Sequence, residues 1–216
     1  MATPLVKVGY AEPILPDVTR VLACLNEKEI KFEHVNINKG KRSGHAVDLL
    51  NLQAKVSHLI DTNPTETSHS VSVQASTRVH GLAFDDGQET LFESRAICRY
   101  LVEKYANRGN RTLLGRDSLE RLSIEQWLKS EEHSFDPPSW TLVLYLAYAP
   151  AMRPTQDDIT MESERRLSKV LDVYDQRLAD HRFLAGDEFT LADLFHLPNS
   201  YYLAKQDAFT SRENVS

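Results

Sequence analysis

The sequence predicts an α/β domain followed by an all-α domain. Up to about residue 105, short strand-like runs alternate with amphipathic segments in the order β-α-β-α-β-β-α. After Asn107-Arg108-Gly109-Asn110 the apolar spacing becomes helical throughout. The chain has 216 residues, 41% apolar and 26% charged, enough for one large domain or two modest ones with a buried core.

Leu5 to Gly9 reads as the first strand. Val18, Val21, Leu22 and Leu25 then recur at i, i+3, i+4 and i+7, one face of a helix. Pro16 supplies a fixed φ at the start of this helix, and the charge of Asp17 complements its dipole. Lys31 to Ile37 forms a looser strand pattern, and Gly40 to Gly44 a basic turn before a weak helix around Val47 to Leu52. Ser57 to Thr77 is dominated by Ser, Thr and small polar residues without a helical stripe, and reads as a long surface loop or insertion. Such loops are uncommon inside compact domains. Arg78 to Phe84 and Glu89 to Phe92 flank Asp85-Asp86-Gly87-Gln88, a strong hairpin signal, and a helix follows from about Glu93 to Tyr105.

In the second half, Asp117 to His133 is amphipathic through Leu119, Leu122, Trp127 and Leu128. Pro137-Pro138 is expected to interrupt it before the apolar segment Trp140 to Tyr148. Leu167, Val170, Leu171, Tyr174 and Leu178 mark another long helix, ended near Gly186. The last helix opens on Thr190-Leu191-Ala192-Asp193, the pattern of a capping box, with Phe189 and Leu194 at hydrophobic-staple positions.

Composition excludes several function classes. With 25 Lys+Arg against 31 Asp+Glu the net charge is −6, and no basic cluster stands out, so no nucleic-acid partner is expected. The first ten residues lack the apolar core of a secretory signal, and the longest apolar run, Trp140 to Met152, is shorter than the roughly 20 residues a membrane span needs. Cys24 and Cys98 lack CxxC or metal-ligand spacing, which fits a reducing, cytoplasmic setting. His34, His69, His133, His181 and His196 show no ligand spacing either; they read as surface or capping residues, and no metal is expected.

Three strings carry a family resemblance: Val18-Thr-Arg-Val-Leu-Ala-Cys-Leu25, Thr90-Leu-Phe-Glu-Ser-Arg-Ala-Ile-Cys-Arg-Tyr100, and Phe183-Leu-Ala-Gly-Asp-Glu-Phe-Thr-Leu-Ala-Asp-Leu194 with His196-Leu-Pro198. In that order they resemble the glutathione transferases, and most of all the plant phi class. The resemblance covers most of the chain outside roughly residues 54–80. It implies a thioredoxin-like N-terminal domain over 1–107 that binds glutathione, with a polar insertion at about 54–80, and an all-helical C-terminal domain over 114–216 that is shorter than the family's. It also implies a homodimer that conjugates the glutathione thiol to hydrophobic electrophiles in detoxification or stress response. A free thiol near pKa 8.5 is mostly protonated at neutral pH, so such a site must favour the thiolate. A second reading is a non-catalytic protein of the same fold that binds glutathione or an apolar ligand, with a pocket floored by Trp140 to Met152.

The resemblance assigns candidate residues. Glu93 and Ser94 match the Glu-Ser pair that opens a helix and grips the γ-glutamyl end of glutathione; Ser94 could instead simply cap that helix. Lys41, Arg42 and His45 supply the charge that the family offers to the glycyl carboxylate, with shifted spacing. The family's thiolate-stabilising Ser position corresponds to Leu15, which cannot donate a hydrogen bond, and Tyr10 at the end of the first strand is a candidate substitute. The family's cis-proline loop has no counterpart, because no proline stands near the rejoining point at about Val79 to Phe84.

Overall fold

A computed structural model of the chain describes residues 6–10, 14–36, 83–85, 90–91, 93–148 and 158–215. The chain divides into two compact units, Met1–Ile97 and Cys98–Ser216. The expected helix around Val47 to Leu52, the polar stretch 57–77, the hairpin turn 86–89, and Lys41, Arg42 and His45 lie outside the described residues.

In the first unit, β1 (Val6–Tyr10), β2 (Phe32–Asn36), β3 (Ala83–Asp85) and β4 (Thr90–Leu91) form a sheet of order β2-β1-β3-β4. β1 runs parallel to β2, with Val6 opposite Phe32 and Tyr10 opposite Asn36, as a strand-helix-strand crossover requires. β3 pairs antiparallel with β1, Val8 opposite Phe84, and with β4, Phe84 opposite Leu91, so the expected hairpin is present with shorter described strands. Val6 and Val8 are buried while Lys7 between them is exposed, the alternation of a strand with one face on a core.

Helix α1 (Pro16–Glu27) buries Val18, Val21 and Leu25 as the periodicity predicts, with Cys24 beside them and Leu22 only half-buried. It ends in a Schellman motif: Ile30 N–H donates to Leu25 O at 2.9 Å and Glu29 N–H to Asn26 O at 2.9 Å. The left-handed position of that motif is held by Glu29, φ 52°, where glycine is the usual occupant. Helix α2 (Ser94–Lys104) follows β4 and buries Ile97, Cys98, Leu101 and Val102.

The second unit is helical among its described residues. Helix α3 (Ser118–Ser130) starts on Asp117, whose Oδ1 accepts the N–H groups of Leu119 and Glu120 at 2.9 Å each. The turn before it needs Gly115, at φ +78°, because a Cβ there would lie 2.9 Å from Glu120 Cβ. Leu119 and Leu122, expected on the buried stripe, are instead 74% and 56% exposed. Ile124, Leu128 and Phe135 are buried and set the inward face, which positions 119 and 122 do not share.

The expected break at Pro137-Pro138 is absent. The helical path runs from α3 through a π-helical turn (Glu131–Phe135) into α4 (Asp136–Val143) and a second π-helical turn (Leu144–Tyr148). Asp136 N–H bonds to Glu131 O, five residues back. Both prolines therefore fall in the first turn of α4, directly after a widened turn, where a missing N–H and a fixed φ are tolerated. Helices α5 (Asp158–Asp180), α6 (Leu191–Leu194), α7 (Leu197–Leu203) and α8 (Asp207–Thr210) complete the unit. Its core joins Phe135, Leu142, Val143, Leu167, Leu171 and Leu203. No helix of the described residues is long and apolar enough to cross a membrane.

Candidate functional site

Two helix starts in the first unit carry the predicted residues. Leu15 is the N-cap of α1, extended at φ −86° and ψ 160°; its carbonyl accepts the N–H groups of Val18 at 3.0 Å and Thr19 at 3.2 Å. Its side chain makes no capping bond, because leucine has no acceptor to offer. The residue at this turn therefore supplies neither a cap nor a donor to a sulfur. Tyr10 closes β1.

At the start of α2, Glu93 has φ +69°, a left-handed conformation rare for glutamate. Its carbonyl accepts the first helical bond, from Ile97 N–H at 2.9 Å, while the residue itself is exposed. Strain of this kind costs of order 1–3 kcal/mol and is held by its surroundings. The next residue is fixed firmly. Ser94 is 3% exposed, and its hydroxyl donates to Asp17 Oδ1 at 2.8 Å while accepting from Arg20 Nη1 at 2.8 Å. Arg20 Nη1 also donates to Asp17 Oδ1, at 2.7 Å, closing a triangle between α1 and α2. Ser94 is thus no simple helix cap: its hydroxyl reaches across to α1.

Arg20 is 1% exposed, so its guanidinium must be compensated where it sits, and Asp17 provides the charge. Neither residue was singled out from the sequence as part of a site. The signal was there in the spacing: Asp17, Arg20 and Cys24 lie at i, i+3 and i+7, so an ion pair shares a stripe with a buried thiol.

The second unit holds a different polar cluster. His196, expected at the surface or as a cap, is 7% exposed. Its Nδ1 lies 2.6 Å from Ala192 O, which can only accept; Nδ1 therefore carries the proton, and Nε2 accepts the Tyr174 hydroxyl at 3.1 Å. Tyr174 in turn lies 3.1 Å from Ser130 Oγ, and burial pushes its phenol up to about 12. The Phe135 ring is tilted against the His196 ring, with centroids 4.5 Å apart, and Trp127 meets Tyr174 edge-on at 5.6 Å. The predicted capping box is complete beside this cluster. Thr190 Oγ1 accepts from Ala192 N–H, and Asp193 accepts from Thr190 N–H at 3.0 Å and from Leu184 N–H at 2.9 Å. Burial raises the Asp193 carboxyl above the ordinary carboxylate range, with these hydrogen bonds pulling the other way.

The segment expected to floor an apolar pocket is divided. Leu142 and Val143 join the core, Leu146 lines an open cavity of about 580 Å³ with Met161, Leu167 and Leu203, and residues 149–152 lie outside the described residues.

The comparisons with known proteins agree with the fold just described. Residues 140–215 match the model of the glutathione S-transferase C-terminal domain. The chain is 36% identical to glutathione S-transferase PARB of Nicotiana tabacum over 211 residues, covering 96% of this chain and 88% of that protein. Among solved structures, glutathione transferase F2 of Populus trichocarpa is 42% identical with a TM-score of 0.74, over 97% of this chain and 89% of that one. Glutathione S-transferase-I, solved with lactoylglutathione, is 25% identical with a TM-score of 0.71, over 98% of this chain and 90% of that one. An α/β unit with parallel β1 and β2 and antiparallel β3 and β4, followed by a helical unit, is the transferase fold. The chain belongs to the glutathione S-transferase family, on the side of its plant phi class.

Proposed function

We propose that the chain binds glutathione at the start of α2 and joins its sulfur to a hydrophobic electrophile, forming a C–S bond as the electrophile's leaving group departs. The observation that carries this is the pairing of a strained, exposed Glu93 with a Ser94 tied into a buried polar network, in a chain more than a third identical to named glutathione transferases. Glu93 faces the ligand's ammonium, and the N–H groups of the first turn of α2 together with Ser94 face its carboxylate. Lys41, Arg42 and His45 are the proposed partners of the glycyl carboxylate.

Thiolate activation is the weak part. A hydrogen bond to a charged group is worth about 1.5–3 kcal/mol, so leucine at position 15 forgoes roughly 1–2 pKa units of thiol activation. Tyr10 is the proposed alternative donor. We further propose that the protein works as a cytoplasmic homodimer in detoxification, with the domains 1–107 and 114–216 joined by the intervening linker. Cys24 and Cys98 are both buried and not joined in a disulfide, which fits a reducing setting. A non-catalytic binding role is the less favoured reading, since the relatives are named as transferases.

Retention of the purified chain on immobilised glutathione, with elution by free glutathione, tests the binding site. Turnover of a generic aromatic electrophile then separates the enzyme from the binder.

A further inference from the structure

We propose that Asp17 sets the affinity and selectivity of the γ-glutamyl end of this site, by occupying from within the chain the place of the ligand's α-carboxylate. The inference rests on the reading that Glu93 and Ser94 hold glutathione. A serine hydroxyl has one proton to give, and Ser94 gives it to Asp17 Oδ1 at 2.8 Å. The same oxygen takes Arg20 Nη1 at 2.7 Å. A hydroxyl donor and a guanidinium converging on one carboxylate oxygen, beside the first turn of a helix, are the partners that an incoming carboxylate needs. Here an internal carboxylate already has them.

Two carboxylates cannot share this spot cheaply. Like charges at hydrogen-bonding range repel strongly wherever solvent screening is reduced, and Ser94 and Arg20 are both at least nine-tenths buried. Asp17 is the accessible member, with 30% of its side chain exposed, and so the one that can swing away. Glutathione must displace it, or leave its own carboxylate to the backbone N–H groups alone. Either way the carboxylate end is penalised, while the ammonium end, which meets Glu93 and now Asp17, is favoured. From sequence alone Asp17 reads only as a residue that complements the dipole of its own helix; its bond to Ser94 across 77 positions gives it this second role.

Titration calorimetry on the full chain tests the proposal, with glutathione and its α-carboxamide analogue as the two ligands. Asp17→Asn keeps an acceptor for Ser94 and Arg20 but removes the charge; Asp17→Ala removes both. Each variant is expected to bind glutathione at least tenfold more tightly than the unmodified chain. The unmodified chain is expected to bind the carboxamide at least as well as glutathione, a preference reversed in Asp17→Asn. Equal or weaker glutathione binding by variants whose unliganded melts match the original overturns the proposal and leaves the site in place. If the variants do not fold, the unmodified chain still decides: a clear preference for the carboxylate over the carboxamide overturns the role of Asp17. Absence of binding by every chain to both ligands removes the Glu93–Ser94 site itself, and this inference with it.

Discussion

Helices α6 and α1 begin in opposite ways. At Thr190 every element of a capping box is in place, and the same Asp193 carboxylate also holds Leu184 N–H, so one side chain locks a helix start and the turn before it. At Leu15 the helix starts on a backbone carbonyl and a proline, and the Leu15 side chain makes no capping bond. A hydroxyl at such a position is worth about 0.5–2 kcal/mol as a cap, and on the function proposed above it is also the group that would face the sulfur. On that reading, the parts that build the fold and the part that would activate the thiol vary separately. At Thr190 the second unit has a complete helix start, while α1 begins on a leucine, where a hydroxyl would serve as a cap.

The largest expected effect breaks the intact side of this comparison. Asp193→Ala strands the N–H groups of Leu184 and Thr190 and is expected to cost about 3 kcal/mol, or roughly 6–12 °C in thermal melting. The pH dependence has a definite sign. Because burial raises this carboxyl, the folded chain holds its proton to higher pH than the unfolded chain does. The contribution is fully present below the ordinary carboxylate range and is lost as pH rises through the raised value. Asp193→Asn should flatten that dependence; an unchanged pH profile in the variant's melts would show that the carboxyl is not shifted upward.

A smaller effect is expected at the neighbouring Tyr174, whose phenol moves from 10.0 to about 12. Tyr174→Phe leaves His196 Nε2 and Ser130 without their shared partner and is expected to cost about 1–2 kcal/mol at neutral pH. The stabilisation that neutral Tyr174 provides is present below pH 10 and lost as pH rises towards 12, so the gap between the two chains should narrow across that window. Melts recorded from pH 9 to 12 show whether it does.

Elements with a local signal were legible in the sequence. The stripe of α1, the hairpin and the Thr190–Asp193 box each depend on residues within a few positions of one another, and each is present. What was not legible is what distant residues do together. Pro137-Pro138 announces a break by its own chemistry, but a π-helical turn upstream absorbs it. His196 looks like a surface histidine until α5 brings Tyr174 to its ring, 22 positions away. Ser94 reads as a cap or a ligand contact, and its bonds to Asp17 and Arg20 span 77 and 74 positions. Glu93 and Ser94 could be named from a short string; the network that decides what Ser94 can donate could not.

The missing side of the comparison can be restored. Leu15→Ser is expected to stabilise α1 by about 1 kcal/mol as an N-cap. It should recover little conjugating activity on its own, because a donor to the sulfur works only on a sulfur held in place, and the expected cis-proline anchor has no counterpart in the sequence. Stability that rises while turnover stays low would sharpen the separation of fold from chemistry. Turnover rising to that of an intact phi-class enzyme would show that the lost hydroxyl was the whole deficit.

The smallest expected effect lies at the other end of α1. Its Schellman motif makes both backbone bonds, from Ile30 to Leu25 and from Glu29 to Asn26, and Ile30 is buried. Only the residue is unusual: Glu29, exposed, carries φ 52° with a Cβ that disfavours it. Replacement by glycine removes that strain, of about 1 kcal/mol, and adds back some freedom to the unfolded chain, so Glu29→Gly is expected to gain roughly 0.5 kcal/mol. Glu29 lies at the opposite end of α1 from Asp17, so glutathione affinity should not change. A melt raised by about 1–2 °C with unaltered calorimetry would place this helix end among the parts that only build the fold. A variant less stable than the original would show that Glu29 earns its position through contacts that outweigh its backbone strain.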